Sequence, residues 1–454
     1  MSRAADVAAS ALAAAPDEEA EAVVVAEVSG LARFAASEVH QPTLIENVVV
    51  NLRVVRDRKI GWASTNRIEA DGLRDLAERA ADAADSGRRD DAFPGLAPPA
   101  PLPEIEGYDD DTAELGADDQ ARLAAAAIES ASRHPVYGFF TSGVTEIAVA
   151  SSTGVTAEQR LTDATALVIA AAEGASGYAE QTSWAAGNVD PGAVAREADE
   201  KAARTIEART VDPGHYRAVL EPYAFAELLQ YFAYDSFGGQ GLLEERSYLH
   251  GRIGERVFDP KISIADDALD PRGLPKAFDF EGSPKQRVAL VEEGIARGVV
   301  WDRETAAQAN DGVAPTGHAP PPLLREYGPL PFALSVAGGE AASVEELAEL
   351  VGDGIYVTRL HYLSIVDPRE GVITGMTRDG TFRIRDGRVA EPLVNLRFTV
   401  SVPELLAEVP GLTREPTLVN QSDFYGDRFP FGVLAPAIAT ARFNISGTGS
   451  APGI

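Results

Sequence analysis

Residues 216–239, YRAVLEPYAFAELLQYFAYDSFGG, combine a short apolar strand with a long apolar helix. Apolar side chains recur at the spacing of a helix face at Phe225, Leu228, Leu229, Phe232 and Ala233. Pro222 fits the first helical turn, where its missing N–H costs nothing, and Gly238 follows the last turn. The stretch therefore predicts a buried helix over residues 221–237 whose polar residues are few: Glu227, Gln230 and Asp235.

Further segments flank this helix in a recognisable order. They are VRDRKIGWASTN (55–66), RSYLHGRIGERVFDPKISIADD (246–267), DFEGSPKQRVALVEEGIARGVVWD (279–302) and the segment 351–393, which begins VGDGIYVTRLHYL. Together they resemble the TldD/PmbA family of bacterial peptidases, once called modulators of DNA gyrase. No single segment is diagnostic, but their shared order covers nearly the whole chain.

The resemblance implies an α+β fold with two domains. The first, residues 1–212, is a mixed α/β domain of the TldD/PmbA type, and it includes a proline-rich, acidic connector at 86–111. The second, residues 213–454, is a strand-rich, barrel-like, metalloprotease-like domain that carries the helix 221–237. A length of 454 residues is also more than one ordinary core requires.

Active members of the family carry an HExxxH helix, in which two histidines and a distant cysteine bind zinc and the glutamate is the general base. Counting back without gaps from Arg246 places that window on residues 230–235. Gln230 and Asp235 then occupy the histidine positions, and Tyr231 occupies the glutamate position. The sequence contains no cysteine, so it cannot supply a thiolate ligand. The motif is degenerate, and we expect no metal and no catalytic residue in this chain.

The resemblance implies a function for such a chain. It is similar to the PmbA-type (TldE) subunit, which lacks the metal and joins a zinc-bearing TldD-type subunit around an internal chamber. We therefore expect a non-catalytic subunit of a peptidase complex that processes small or unfolded peptides, with zinc in the partner and a heterodimer favoured over a homodimer. Two alternatives stay open: an independent hydrolase with a different metal or site, and a homodimeric assembly or binding protein without peptidase activity.

Other candidate residues are scattered. The six histidines form no pair at i, i+3 or i, i+4 spacing, so a metal site built from them is not indicated. His361 and its strand neighbour Arg359 are candidates for a peptide channel, as is Asp267. Asp266 and Asp267 are adjacent, and adjacent strand residues point to opposite faces. The aromatic and polar loop 420–431 has the composition of a contact surface.

Composition excludes some partners and places. The formal net charge is −30, with five lysines among 40 basic residues, which argues against binding nucleic acid. No apolar run approaches the roughly 20 residues of a membrane span, and the alanine-rich start lacks the apolar core of a signal peptide. We expect a cytoplasmic protein that acts on peptides without nucleic acid or membrane.

Several local patterns can be compared with the structure. Separate short strands are expected at 22–28 and 31–35, and again at 136–141 and 145–151. The connector 86–111 is expected to be extended and to face solvent. Asp379-Gly380 and Asp386-Gly387 are typical of hairpin turns.

Overall fold

A computed structural model describes residues 2–15, 19–309, 312–422, 428–449 and 452 of the chain. Its N-terminal helices are α1 Arg3–Ala13, α2 Ala70–Ser86, α3 Asp110–Ala113, α4 Ala117–Ser130 and α5 Pro191–Ala203, with a short 3₁₀ helix η1 at Ala186–Asn188. The N-terminal strands are β1 Glu19–Ala35, β2 Glu38–Arg56, β3 Lys59–Thr65, β4 Val136–Ser151, β5 Thr156–Ala172 and β6 Ala175–Ser183.

These strands form one antiparallel sheet in the order β3-β2-β1-β4-β5-β6. Alternate residues of β1 and β4 point to opposite faces of this sheet. One face packs against helices and the other against the C-terminal domain. Val24 and Ala148 pack with α1 and α2, and further along the same face Phe140 packs with α4 and α5. On the opposite face Val23 and Val149 pack with Phe278 and Phe280 of the C-terminal domain. The middle of the sheet is therefore buried on both faces, whereas the first residues of β2 are exposed.

The C-terminal part has the helices α6 Pro222–Ser236, α7 Gly239–Leu243, α8 Arg303–Ala309, α9 Val344–Val351 and α10 Val402–Leu406, and a 3₁₀ helix η2 at Pro322–Tyr327. Its strands are β7 Gly214–Leu220, β8 Ile264–Asp266, β9 Val288–Glu292, β10 Ile295–Ala296, β11 Leu334–Val336, β12 Gly354–Asp367, β13 Val372–Arg385, β14 Arg388–Leu393, β15 Leu396–Ser401, β16 Gly411–Leu412, β17 Thr417–Asn420, β18 Gly432–Ala435 and β19 Ile438–Thr448.

Within the described residues, the strands β12, β7, β19, β15 and β13 close into a barrel, because β12 pairs with both β7 and β13. A second sheet has the order β10-β9-β8-β11-β18-β17. Helix α6 lies in one apolar core with both: Phe225 and Leu228 share this core with Val357 of the barrel and Val433 of the second sheet. The expected α+β fold with a barrel-like C-terminal region is confirmed.

Two expectations about strands were wrong. Residues 22–28 and 31–35 belong to the single strand β1, and 136–141 and 145–151 belong to the single strand β4. Gly30 interrupts the pattern without making a turn. A Cβ atom at this position would lie 1.9 Å from the side-chain oxygen of Gln120, so the glycine makes room for helix α4.

Of the two expected hairpin turns, one is confirmed and one was wrong. Asp386-Gly387 connects β13 to β14, as expected. Asp379-Gly380 does not form a hairpin turn. It lies inside β13 with φ of 53° and 130°, opposite a register shift between Val357 and Arg359. The left-handed conformation that favours Asp-Gly in turns here forms a β-bulge.

The connector 86–111 reaches α3 at Asp110 without a helix or strand of its own, but it does not face solvent throughout. Phe93 and Leu96 are buried against Val55 of β2, and Ala97 is buried with Val23. No helix of the described residues is long and apolar enough to cross a lipid bilayer.

The contact between β6 and α5 gives a test of the N-terminal packing. A Cβ atom at Gly177 would lie 2.1 Å from the backbone oxygen of Ala198, so Gly177→Ala must push the helix off the sheet. We expect a loss of about 1–3 kcal/mol in the free energy of unfolding, measured by urea denaturation. The control is Gly187→Ala, where a Cβ atom meets nothing within 4 Å. Equal stability of the two variants would contradict this packing.

Candidate functional site

Helix α6 is buried almost all round, and this determines what its polar residues can do. It begins at Pro222, directly after barrel strand β7, as the sequence predicts. Its partly exposed side chains past the first turn are Glu227, Tyr231, Tyr234 and Asp235. The first three lie four and three residues apart, so they form one stripe along the helix. This stripe is where α6 reaches the surface of the core.

The three residues of the degenerate window lie in three different surroundings. Gln230 is 0% exposed, and its Nε2 donates to the backbone oxygen of Pro331 at 3.4 Å. Tyr231 is half-buried, with its ring centroid 5.9 Å from that of Tyr234. Asp235 forms an ion pair with Arg246. The side chains do not converge on one point.

These residues do not fit a zinc ion. A zinc site needs at least three converging protein donors, usually cysteine, histidine or a carboxylate. The part of the chain that the structure describes contains no group of three or more such side chains. The buried carboxamide of Gln230 is directed at a backbone carbonyl, and the carboxylate of Asp235 is directed at a guanidinium.

The structure brings Arg359 and His361 together on β12 but places Asp267 elsewhere. Arg359 donates from Nε to Oδ2 of Asp379 at 2.7 Å, and its guanidinium lies 4.2 Å from the ring centre of Tyr178. Asp267 follows β8 in the second sheet, 3.4 Å from Arg287. A role for any of the three in a peptide channel stays a prediction.

Asp266 and Asp267 do point in different directions. Oδ1 of Asp266 lies 2.8 Å from Nε2 of His318, and both side chains are fully buried. Burial raises the pKa of Asp267. Burial also acts to raise the pKa of the adjacent Asp266, but His318, Lys285 and the backbone N–H of Ala333 together lower it. The pair therefore cannot act as two carboxylates at one point.

His361 lies where β12 is irregular. Its ring lies against that of Tyr362, tilted by 44° with centroids 4.0 Å apart, and Tyr362 is exposed with φ of 52°. Partial burial, followed by the charges of Arg378 and Arg359, lowers the pKa of His361. The imidazole is therefore neutral at pH 7 and can both accept and donate a hydrogen bond.

A carboxyl pair beside Arg359 was not found from the sequence. Burial raises the pKa of Glu180 on β6 to about 7, and burial raises the pKa of Glu227 on α6 to about 7 as well. Oε1 and Oε2 of Glu180 accept hydrogen bonds from the backbone N–H of Asn420 and from the hydroxyl of Tyr178, each at 2.7 Å. The signal available in the sequence was that Glu180 is an acid on the face of β6 that carries large residues. The opposite face carries the small residues Gly177 and Ala179.

These side chains can bind a polar group, because they include hydrogen-bond donors and acceptors. The two carboxyls change protonation state near neutral pH. A carboxylate at Glu227 accepts hydrogen bonds, while its protonated form donates one. Arg359 lowers the pKa of both Glu180 and Glu227, although burial dominates in each case. We refer to Tyr178, Glu180, Glu227, Arg359 and Asp379 as the α6 polar cluster.

Family models match consecutive parts of the chain. The PmbA/TldA metallopeptidase C-terminal domain matches residues 213–447, domain 1 matches 20–84, and the central domain matches 109–206. The C-terminal match alone covers more than half of the 454 residues. The chain belongs to the PmbA/TldD family of metallopeptidases.

Individual relatives agree with this assignment. A metalloprotease of Methanothermobacter thermautotrophicus is 26% identical over 263 residues, which is 56% of this chain and 55% of the relative. A metalloprotease TldD homolog of Haemophilus influenzae is 26% identical over 214 residues, 45% of this chain and 42% of the relative. The matches thus span about half the length of these relatives. The crystal structure of TldE from Thermococcus kodakarensis has the same fold, with a TM-score of 0.84 at 21% identity over 95% of this chain and 97% of that one.

The raised pKa of Glu227 predicts a pH dependence of stability. In the folded chain this carboxyl keeps its proton up to about pH 7, whereas its ordinary pKa is 4.5. Between these values the folded state binds more protons than the unfolded state, so this group lowers the free energy of unfolding as pH rises. Glu227→Gln should therefore be more stable than the parent at pH 8, by on the order of 2 kcal/mol, and no more stable at pH 4.5.

Urea denaturation at several pH values measures this difference. The control is Glu78→Gln, which removes one negative charge from an exposed position on α2. If the two variants show the same dependence on pH, Glu227 is not a buried carboxyl of raised pKa.

Proposed function

We propose that this chain is a non-catalytic, TldE-like subunit that pairs with a zinc-bearing TldD-type peptidase chain and helps it to process small or unfolded peptides. The observation that carries the proposal is the state of the degenerate window. By the ungapped count from Arg246, Gln230, Tyr231 and Asp235 fall on the positions of the zinc-binding motif, and two of them are bonded to other parts of the same chain. The zinc in this account belongs to the partner.

The α6 polar cluster supports a role in binding peptide. Peptide backbones present N–H donors and C=O acceptors. Glu227 of this cluster, whose pKa is about 7, and the neutral His361 outside it can bind both kinds of group. A net charge of −30 disfavours nucleic acid as the ligand. It also disfavours close association of two copies, because like charges repel, so we favour a heterodimer. We place the complex in the cytoplasm.

The alternative of an independent hydrolase has less support. Such an enzyme needs a nucleophile with a base, or a metal held by converging donors. His318 with Asp266 is the one His–carboxylate pair that is fully buried among the described residues, and its imidazole is bonded on both nitrogens, to Asp266 and to Thr316. The hydroxyl of Thr316, 2.9 Å from Nδ1 of His318, is itself hydrogen-bonded to the backbone of Trp301, so the pair fits a structural role.

Reconstitution tests the proposal. The chain is purified alone and together with the TldD-type chain of its own organism, and both samples are assayed with unfolded peptides. We expect cleavage by the mixture that a chelator abolishes, and none by this chain alone. Chelator-sensitive cleavage by the chain alone would contradict the non-catalytic role, and failure to form a complex would contradict the subunit role.

A paired substitution tests the contribution of His361. His361→Gln in the complex should lower kcat/KM by about three- to tenfold without changing the amount of heterodimer, because it removes a peptide contact and leaves the interface intact. His40→Gln, an exposed position on β2, should change neither. Equal activity of the two variants would exclude His361 from the peptide channel.

A further inference from the structure

A cleft of about 440 Å³ lies between the N-terminal sheet and the C-terminal domain. Its floor contains Val25 and Val49, which are paired residues on β1 and β2. The helix η2 forms one lip, and Phe280, Phe429 and Phe431 form the wall. The volume is within the usual range for ligand sites, which often lie between domains.

The wall of this cleft is rigid and apolar. The ring of Phe429 lies edge-to-face with those of Phe280 and Phe332, each 5.2 Å away between centroids, and Phe332 lies 4.9 Å from Phe431 in the same manner. Such contacts hold aromatic rings in fixed positions. An apolar side chain that enters the cleft therefore meets a preformed surface and need not order it.

The lip leaves large apolar side chains in water. Leu323 is 77% exposed and Tyr327 is 65% exposed, both on η2. Exposed apolar residues beside an apolar cleft mark a surface that gains from being covered. The occupant must therefore be largely apolar.

The charged residues at the cleft indicate which polar group the occupant carries. At the inner end, Arg428 is held by a buried ion pair with Asp163, so this cation is already neutralised. At the lip, Arg325 is exposed, donates from Nη1 to the backbone oxygen of Pro322 at 2.9 Å, and lies over the ring of Trp62 at 5.5 Å. Neither of these contacts, the ones that Arg325 makes among the described residues, is with a carboxylate. A carboxylate next to an apolar side chain fits this position.

An α-carboxylate fits better than the acid of a side chain. Arg325 directly follows Leu324 on the same short helix, so the negative charge must lie close to the apolar group that fills the cleft. In a C-terminal residue the carboxylate and the side chain share one carbon atom. An internal aspartate or glutamate places its charge on a different residue from the apolar side chain.

We propose that this cleft binds the C-terminal end of a peptide, with an apolar side chain between Val49 and the phenylalanine wall and the α-carboxylate at Arg325. The segment that forms the lip continues to Pro331, whose carbonyl accepts the hydrogen bond from Gln230 of α6. The same segment therefore lines the cleft and contacts helix α6. This inference rests on the proposed peptide-binding function and names the peptide end that this chain selects.

Trp62 provides a signal for binding, because Arg325 lies over its indole ring. The full chain is titrated with N-acetyl-Leu-Leu-Phe as the free acid, as its C-terminal amide, and as N-acetyl-Asp-Leu-Leu-Phe amide. We expect a saturable change in tryptophan fluorescence with the free acid at the lowest concentration. Both amides should bind about tenfold more weakly, because they lack a carboxylate beside the apolar side chain. Trp62→Phe should remove most of the signal while calorimetry still detects binding.

Substitutions at the lip separate the two parts of the site. Arg325→Gln should weaken binding of the free acid about tenfold and leave the amide unchanged, whereas Leu323→Asp should weaken both. Leu350→Asp is the matched control, because Leu350 is exposed on α9 away from the cleft. Equal binding of acid and amide, or equally tight binding of the aspartyl amide, would overturn the assignment to a C-terminus. No effect of Leu323→Asp would overturn the cleft itself.

Complex formation with the TldD-type chain is measured on the same variants. If the complex forms and cleaves peptides while the cleft variants bind the acid normally, only the cleft assignment fails. If no complex forms with the parent chain, the proposed function fails whatever the peptide titrations show.

Discussion

Helix α6 is packed between a barrel and a second sheet, so a polar side chain on its buried faces can find a partner only inside the protein. A buried polar group without a hydrogen bond costs free energy comparable to the bond itself. Gln230 uses the carbonyl of Pro331, and Asp235 uses Arg246. In this chain Nε2 of Gln230 and the carboxylate of Asp235 have partners within the protein, whereas the buried Oε1 of Gln230 has no hydrogen-bond partner.

The same constraint explains the α6 polar cluster. Glu227 accepts a hydrogen bond from the backbone N–H of Leu360 on β12, and the guanidinium of Arg359 lowers its pKa against the effect of burial. Arg359 is held in turn by Asp379, which the β-bulge at Asp379-Gly380 turns toward it. A barrel strand, a helix and a strand of the N-terminal sheet thus meet at one group of charges. The α6 polar cluster therefore contains residues from both halves of the chain.

The sequence was informative where local chemistry decides the structure. It placed the helix at 221–237, against Pro222–Ser236 in the structure, because proline, apolar spacing and glycine all agree there. It failed where a distant residue decides. The local pattern predicts two strands at 22–28 and 31–35, because the reason for Gly30 is Gln120, 90 positions away in sequence. Glu180 was missed for the same reason, since its partners Asn420 and Arg359 come from the other half of the chain.

The side chains of the degenerate window and the other described residues do not fit the catalytic metal of the family, and metal binding by the isolated chain is the decisive measurement. The purified chain is dialysed against zinc, its metal content is measured by emission spectrometry, and the affinity is measured by calorimetric titration. We expect weak binding that does not saturate at one zinc per chain and does not change in Asp235→Asn. One tightly bound zinc per chain, lost in that variant, would contradict this expectation.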